Sequence, residues 1–514
     1  MWLKRSIFLP VLMALGLPGV GPAHVRVARA SGGVLQVEVV DKDSGKPIAC
    51  RMHLKNSRGR PRKVPGLPFW KDHFVFPGQV RLKLPHGAYT FEIERGPEYV
   101  NVSGHFTIED HADDTKVIEL KRAVNMAAEG WYSGDLHVHR PIKDIELLMR
   151  AEDLHVAPVI TWWNNKNAWA SGRLPKQPVV RFDGDRIYDT LAGEDERGGG
   201  ALLFFRLPKP LPLAGAAREY PSSVKFLLEA KQYEGAWVDA EKPFWWDFPL
   251  WLATGQIDSI ELANNHMCRG QMIDNEAWGR PRDRRRLRGA LGNGLWSQEI
   301  YYHVLEAGLR IPPSAGSASG VLPNPLGYDR VYVHVGEAFS YDNWWKAFRQ
   351  GRVVVTNGPL LRPLVGGKNP GHVFRAESGK QVTLDVVLSL STRDPISYLE
   401  IVKNGQVEHT VRLDEWAKNG TLPAVTFRES GWMLVRAVTD VERTYRFAST
   451  GPYYVEIGSQ PRISRRSVQF FLDWLDQRRD RLKLDDAAQR DEVLKYYDQA
   501  RGFWNDRLSQ ANAD

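Results

Sequence analysis

Two histidines stand two residues apart in Asp135-Leu136-His137-Val138-His139. On an extended strand such residues point to the same side, so both imidazoles can address one ion. A third ligand is expected from a carboxylate at another strand end, and Glu194 in Gly193-Glu194-Asp195-Glu196 is the candidate. Two histidines and one carboxylate leave coordination positions open, which suits a single zinc, manganese or iron ion that activates water at neutral pH. Asp239 or Glu241, in Trp237-Val238-Asp239-Ala240-Glu241-Lys242-Pro243, is then expected as general base, with His266 as a further ligand or acid. A metal-free alternative sets Glu194 and Glu241 across a sugar, about 5.5 Å apart for retention or about 6.5 to 9.5 Å for inversion.

These residues need elements to hold them. Short, continuously apolar runs at Val156 to Trp162, Ala201 to Phe205, Ala236 to Ala240, Ser259 to Ala263, Arg330 to Val335 and Val353 to Thr356 are separated by helix-length segments. That texture predicts a parallel sheet buried on both faces and closed into a distorted β/α barrel over residues 126–365. The polar candidates follow the runs, at the C-terminal rim where such barrels assemble their sites. Residues 31–125 alternate apolar and polar positions between turn sequences, as in Val34-Leu35-Gln36-Val37-Glu38-Val39, and predict an N-terminal β-sandwich. A second β-sandwich is expected over 366–459, and 460–514 reads as a tail of two amphipathic helices. The fold class is therefore multidomain, α/β plus β.

Lys4 and Arg5 precede an apolar stretch from Ile7 to Val20 and then small residues, so 1–30 reads as a signal peptide of a secreted or periplasmic protein. After its removal no membrane span is expected. Charged residues at 25% and hydrophobic ones at 43% of 514 exclude a disordered or membrane-embedded chain. Cys50 and Cys268 alone, far apart, exclude a disulfide framework and a thiolate metal cluster. The net charge of +8 includes a basic run from Arg280 to Arg288, read as a solvated loop, so no nucleic-acid partner is expected. Trp162, Trp163, Trp245, Trp246 and Trp251 lie in or beside rim segments and suit a small-molecule or glycan substrate with a flat face.

The stretch GDLHVHRPIKDIELLMRAEDLHVAPVITWW, followed by AGSASGVLPNPLGYDRVYVHV and AFRQGRVVVTNGPLL, resembles the CehA/McbA branch of the PHP-domain metallohydrolases. The resemblance covers roughly residues 130 to 365 and implies a distorted barrel with divalent metals that hydrolyses ester, carbamate, amide or phosphoester bonds. His137 and His139 match the family's opening His-x-His, and Glu194 matches its glutamate after glycine. Elsewhere the pattern departs: Thr161-Trp162-Trp163 stands for Thr-Asp-His, Ala240-Glu241-Lys242-Pro243 for Ala-His-Pro, and Gly316-Ser317-Ala318-Ser319-Gly320 for Gly-Ser-Asp-x-His. The surviving ligands would touch one metal position, which implies a mononuclear site. The missing ligands also leave a second expectation, a degenerate barrel that binds carbohydrate or assembles a surface without turnover. VEVVDKDSGKPIACRMHL and LPHGAYTFEIERGPEY resemble transthyretin-like modules, which implies a scaffolding role for the first sandwich.

Overall fold

A computed structural model describes residues 32–514. The expected signal peptide lies outside the described residues. Among those described, no helix is long and apolar enough to cross a membrane.

The chain begins with two facing sheets. Gly32–Asp41 lies between Gln79–Pro85 and Asp113–Leu120, and a second sheet orders Phe69–Trp70, His73–Phe76, Cys50–Asn56, Gly87–Glu94 and Val102–Ile108. Alternation does the work here: along Gln79–Pro85, Val80, Leu82 and Leu84 are buried while their neighbours face water. Val37, Met52, Leu54, Phe74, Phe76 and Ile93 fill the space between the sheets.

The central domain is a ring of strands. Trp131–Gly134 adjoins Val156–Trp163 in parallel, which runs parallel to Arg186–Arg197. Gly200–Phe205 follows antiparallel, then Trp237–Ala240, Ser259–Ala263 and Pro313–Ala315, the last two joined by parallel pairing. The ring closes where Leu136 N–H donates to Ala315 O (3.1 Å) and Val138 bridges both Val159 and Ser319. Every residue of Gly200–Phe205, Trp237–Ala240 and Ser259–Ala263 is buried, as strands covered on both faces require.

Three strands depart from the expected parallel order. Ala201 to Phe205 runs antiparallel because Gly198 and Gly199 join it to the preceding strand as a tight hairpin, too short for a parallel crossover. Arg330–His334 and Val353–Thr356 also pair antiparallel, the first with Trp131–Gly134 and the second with Phe447–Thr450. They carry the sheet out of the ring and into the following β-structure. There Leu360–Val365, Val382–Ser391 and Thr421–Phe427 face a sheet built on Val373–Ala376, Tyr398–Lys403, Gln406–Arg412, Gly431–Val438 and Tyr453–Ile457. Leu361, Val386, Leu399, Ile401, Val425 and Val435 form their shared core.

The tail is helical, Arg465–Asp480 and Ala487–Ser509, with the Asp486 carboxylate accepting Gln489 N–H (2.9 Å) at the start of the second helix. Phe471, Trp474 and Trp504 pack on Phe248 and Trp251 of the ring domain. Arg478 and Tyr497 both reach Asp247, at 2.6 and 3.1 Å.

Candidate metal centre

Asp135 fixes the start of the site. It is fully buried, and its carboxylate accepts the N–H groups of His137 (3.0 Å), Ser317 (3.0 Å) and Gly327 (2.7 Å) and the Ser317 hydroxyl. One side chain thus ties the His137–His139 segment to the loop closing the ring. His137 and His139 leave on the same face, and their Nε2 atoms lie 3.1 Å apart.

Glu194 arrives from the neighbouring strand. The parallel register sets it opposite Trp163, and Gly193 before it carries no Cβ because one would stand 2.0 Å from the Trp162 ring. Its carboxylate oxygens lie 3.8 Å from His137 Nε2 and 3.2 Å from His139 Nε2. Tetrahedral bonds of about 2.0–2.2 Å place donors about 3.3–3.6 Å apart. The observed separations bracket that spacing, and one Glu194 oxygen, buried, has no hydrogen-bond donor. These residues fit a single divalent ion. Burial, with Glu241 nearby, pushes the metal-free Glu194 carboxyl up to about 7.

The other face of the His137 ring meets carboxylates too. Nδ1 is 3.4 Å from Glu261 and 3.6 Å from Glu241. Glu261 is fully buried, neither of its oxygens has a donor, and burial followed by repulsion from Asp239 and Glu241 lifts it well above the usual carboxyl range. A carboxyl group beside the non-ligating nitrogen of a metal-binding histidine sets its tautomer and orientation. Gly316 makes room for this pair, since a Cβ there would meet the Glu261 carboxylate and His137 Cβ.

His137, His139, Glu194, Glu241 and His266 share a cavity of about 150 Å³ with Glu196, Lys242, Asn265 and three tryptophans, Trp163, Trp245 and Trp278. Glu241 is held on three sides: Lys242, Trp245 (2.8 Å) and Asn265 (2.7 Å) all donate to it. Burial would raise it, but the Lys242 ammonium and His137 prevail and hold it at about 2. Asp239 does not line the cavity. It is completely buried below, where the Ser259 and Ser314 hydroxyls donate to it, and burial raises it to about 6. Glu196 also lines the cavity. Strand alternation turns Glu194 and Glu196 inward together and leaves Asp195 to pair with Arg197 at 2.7 Å on the other side. Burial and the charges of Glu194 and Glu241 push Glu196 up to about 7.

His266 donates from Nδ1 to Asn275 O (3.0 Å), and burial with the Lys242 charge lowers it to about 3. It is a neutral imidazole at physiological pH, a hydrogen-bond acceptor through Nε2. It does not join the donor group formed by His137, His139 and Glu194. Glu194 and Glu241 contact opposite nitrogens of His137, so the imidazole stands between them. Ala318 lines the cavity at a φ of 47°, where a carboxylate was missing from the sequence pattern.

Lys242 and Glu261 were not among the sequence candidates, and Glu196 stood there only as part of the stretch that offered Glu194 as ligand. Glu261 carried a signal, a lone charge inside the apolar run Ser259–Ala263. Lys242 carried none beyond lying at a strand end.

No protein-family profile matches the chain, and no curated protein matches it. Among solved structures, the TIE protein of Bacillus anthracis is 20% identical over 22% of this chain, with a TM-score of 0.15. The chain covers 20% of the length of that protein. The fibronectin(III)-like modules of Clostridium thermocellum CbhA are 13% identical over 19% of this chain and 98% of their own, with a TM-score of 0.14.

Proposed function

We propose that the chain is a hydrolase of ester, carbamate, amide or phosphoester bonds that works with one divalent ion on His137, His139 and Glu194, on a reduced version of the PHP-type barrel it resembles. The observation that carries this is convergence: three donors, two from the segment after Trp131–Gly134 and one from Arg186–Arg197, all within 4.8 Å of one another, at the mouth of a closed ring and beside a carboxyl raised to about 7. When bound, the ion supplies Lewis-acid polarisation and a nucleophile at neutral pH.

The chain's own residues supply the rest. Glu196, titrating near neutrality, takes up a proton during attack and returns it to the leaving group. Lys242, buried against Glu241 with N–H bonds to spare, faces the cavity and steadies negative charge developing on the substrate. His266 offers Nε2 to a substrate donor. Trp163, Trp245 and Trp278 give the cavity an apolar wall, which favours substrates with a flat or apolar face and keeps bulk water out.

Elemental analysis of protein purified without added metal tests the proposal. The parent is expected to hold about one equivalent more zinc, manganese or iron than a His137→Ala/His139→Ala variant, and to cleave members of an ester and carbamate panel that the variant leaves intact. Equal metal in both proteins sinks it and leaves the carbohydrate-binding alternative, which glycan arrays then address.

A further inference from the structure

We propose a second divalent-metal site, structural in role, formed by His53, Asp72 and His73 in the N-terminal β-sandwich. The register of Cys50–Asn56 with His73–Phe76, in which Arg51 faces Val75 and Met52 faces Phe74, brings His53 opposite His73. Both histidines are buried, 5% and 2% exposed, and their ring centroids are 5.1 Å apart. Asp72, on the turn between Phe69–Trp70 and His73–Phe76, reaches over both: His53 Nδ1 is 3.2 Å from one carboxylate oxygen and His73 Nδ1 is 3.0 Å from the other. All three donors lie within 4.8 Å of one another.

Hydrogen bonding alone leaves this cluster incomplete. His53 Nδ1 is buried and makes no hydrogen bond, although an Asp72 carboxylate oxygen lies 3.2 Å away. Arg51 Nε donates to His53 Nε2 at 3.3 Å, so in the metal-free protein the ring proton sits on Nδ1. An ion at Nδ1 moves that proton to Nε2, with the Glu94 carboxylate 3.9 Å away, and gives up one long hydrogen bond. Arg51 keeps Glu94 and Glu152 as partners.

The donor set of two imidazoles and one carboxylate suits zinc or a neighbouring first-row ion. Asp72 also lines an open cavity of about 420 Å³ bounded by Lys55, Glu92, Arg269 and Arg393, which gives an ion a path from solvent. The strand entering this turn ends in Trp70, whose Nε1 donates to Leu322 O at 2.7 Å, and Leu322 lines the cavity of the ring domain. An ion on Asp72 therefore pins the hairpin that holds one wall of that cavity.

The test uses the full chain with His137→Ala/His139→Ala, which silences the other centre. This protein is expected to bind about one equivalent of Zn²⁺ in equilibrium dialysis and to gain several degrees in Tm at saturating Zn²⁺. Adding Asp72→Ala, at a side chain 40% exposed and tolerant of change, should weaken binding at least tenfold and abolish the Tm gain. In the protein with an intact first centre, Asp72→Ala should lower zinc content by about one equivalent. Zinc binding that Asp72→Ala and His73→Asn leave unchanged, or no stoichiometric zinc in the background protein, overturns the site whether or not the ring domain proves to be a hydrolase.

Discussion

Glu196 and Glu261 differ from one another by what surrounds them, and that difference assigns their roles. Glu196 is half-buried on the cavity wall and titrates near 7, whereas Glu261 is sealed behind His137 and stays protonated well above the usual carboxyl range. A base must be deprotonated to act, so activity should rise with pH through about 7. Glu196→Gln is expected to lower kcat about 10²–10⁴-fold with metal content unchanged, and to flatten that limb of the pH–rate profile. An unaltered profile would remove Glu196 from the reaction. Glu261→Gln keeps the size of the side chain and touches no substrate. It should weaken metal binding about 10–100-fold, the usual effect of losing a carboxyl partner of a ligating histidine. Competition against a chelating dye measures it, and an unchanged affinity would make Glu261 a bystander of the fold.

The strands show which parts of this arrangement were legible before the fold was known. Spacing alone paired His137 with His139, because a period of two is a property of any strand. The same rule separates Glu194 and Glu196 from Asp195, yet it could not say which carboxylate is clamped, since one of the donors to Glu241, Asn265, lies beyond the next strand in sequence. The apolar run of Gly200–Phe205 does not reveal its direction, although Gly198 and Gly199 before it are a hairpin signal. Asp239 shows the same limit: a carboxylate at a strand end was expected to face the rim, but it sits beneath it on Ser259 and Ser314. Its carboxyl is raised from 3.8 to about 6 by burial. A raised folded-state pKa gives stability that is complete below about pH 4 and is lost as pH climbs through 6. Over two pH units this amounts to about 3 kcal/mol, on a scale good only to its order of magnitude. Asp239→Asn should therefore reduce the fall in Tm between pH 4 and pH 7, and an identical slope in both proteins would show that the group stays ionised.

At the scale of the whole molecule, the N-terminal sandwich is bound to the ring by buried charge as well as by apolar contact. Ala49 and Val75 of the sandwich pack with Ile145, Leu148 and Met149 on helix Ile142–Glu152, the helix that follows His137 and His139. Asp153, at the end of that helix, gathers Arg95 (3.1 Å) and Arg122 (2.7 Å) from the sandwich side and Arg186 (2.7 Å) from the ring. Arg51 joins Glu94 in the sandwich to Glu152 in the helix. Composition could not reveal this, because a buried ion network and a solvated one use the same residue types. Three cations converge on one carboxylate, and burial is outweighed by their attraction, so Asp153 stays ionised far into acid. Removing the shared anion leaves mutually repelling guanidinium groups in a site with little water, at a cost of about 3–5 kcal/mol. Asp153→Ala should lower the urea midpoint accordingly, and it should also weaken metal binding at His137 and His139, because their segment leads into the helix that Asp153 terminates. If apolar contact alone held the sandwich in place, the variant would lose less than about 1 kcal/mol and bind metal as the parent does.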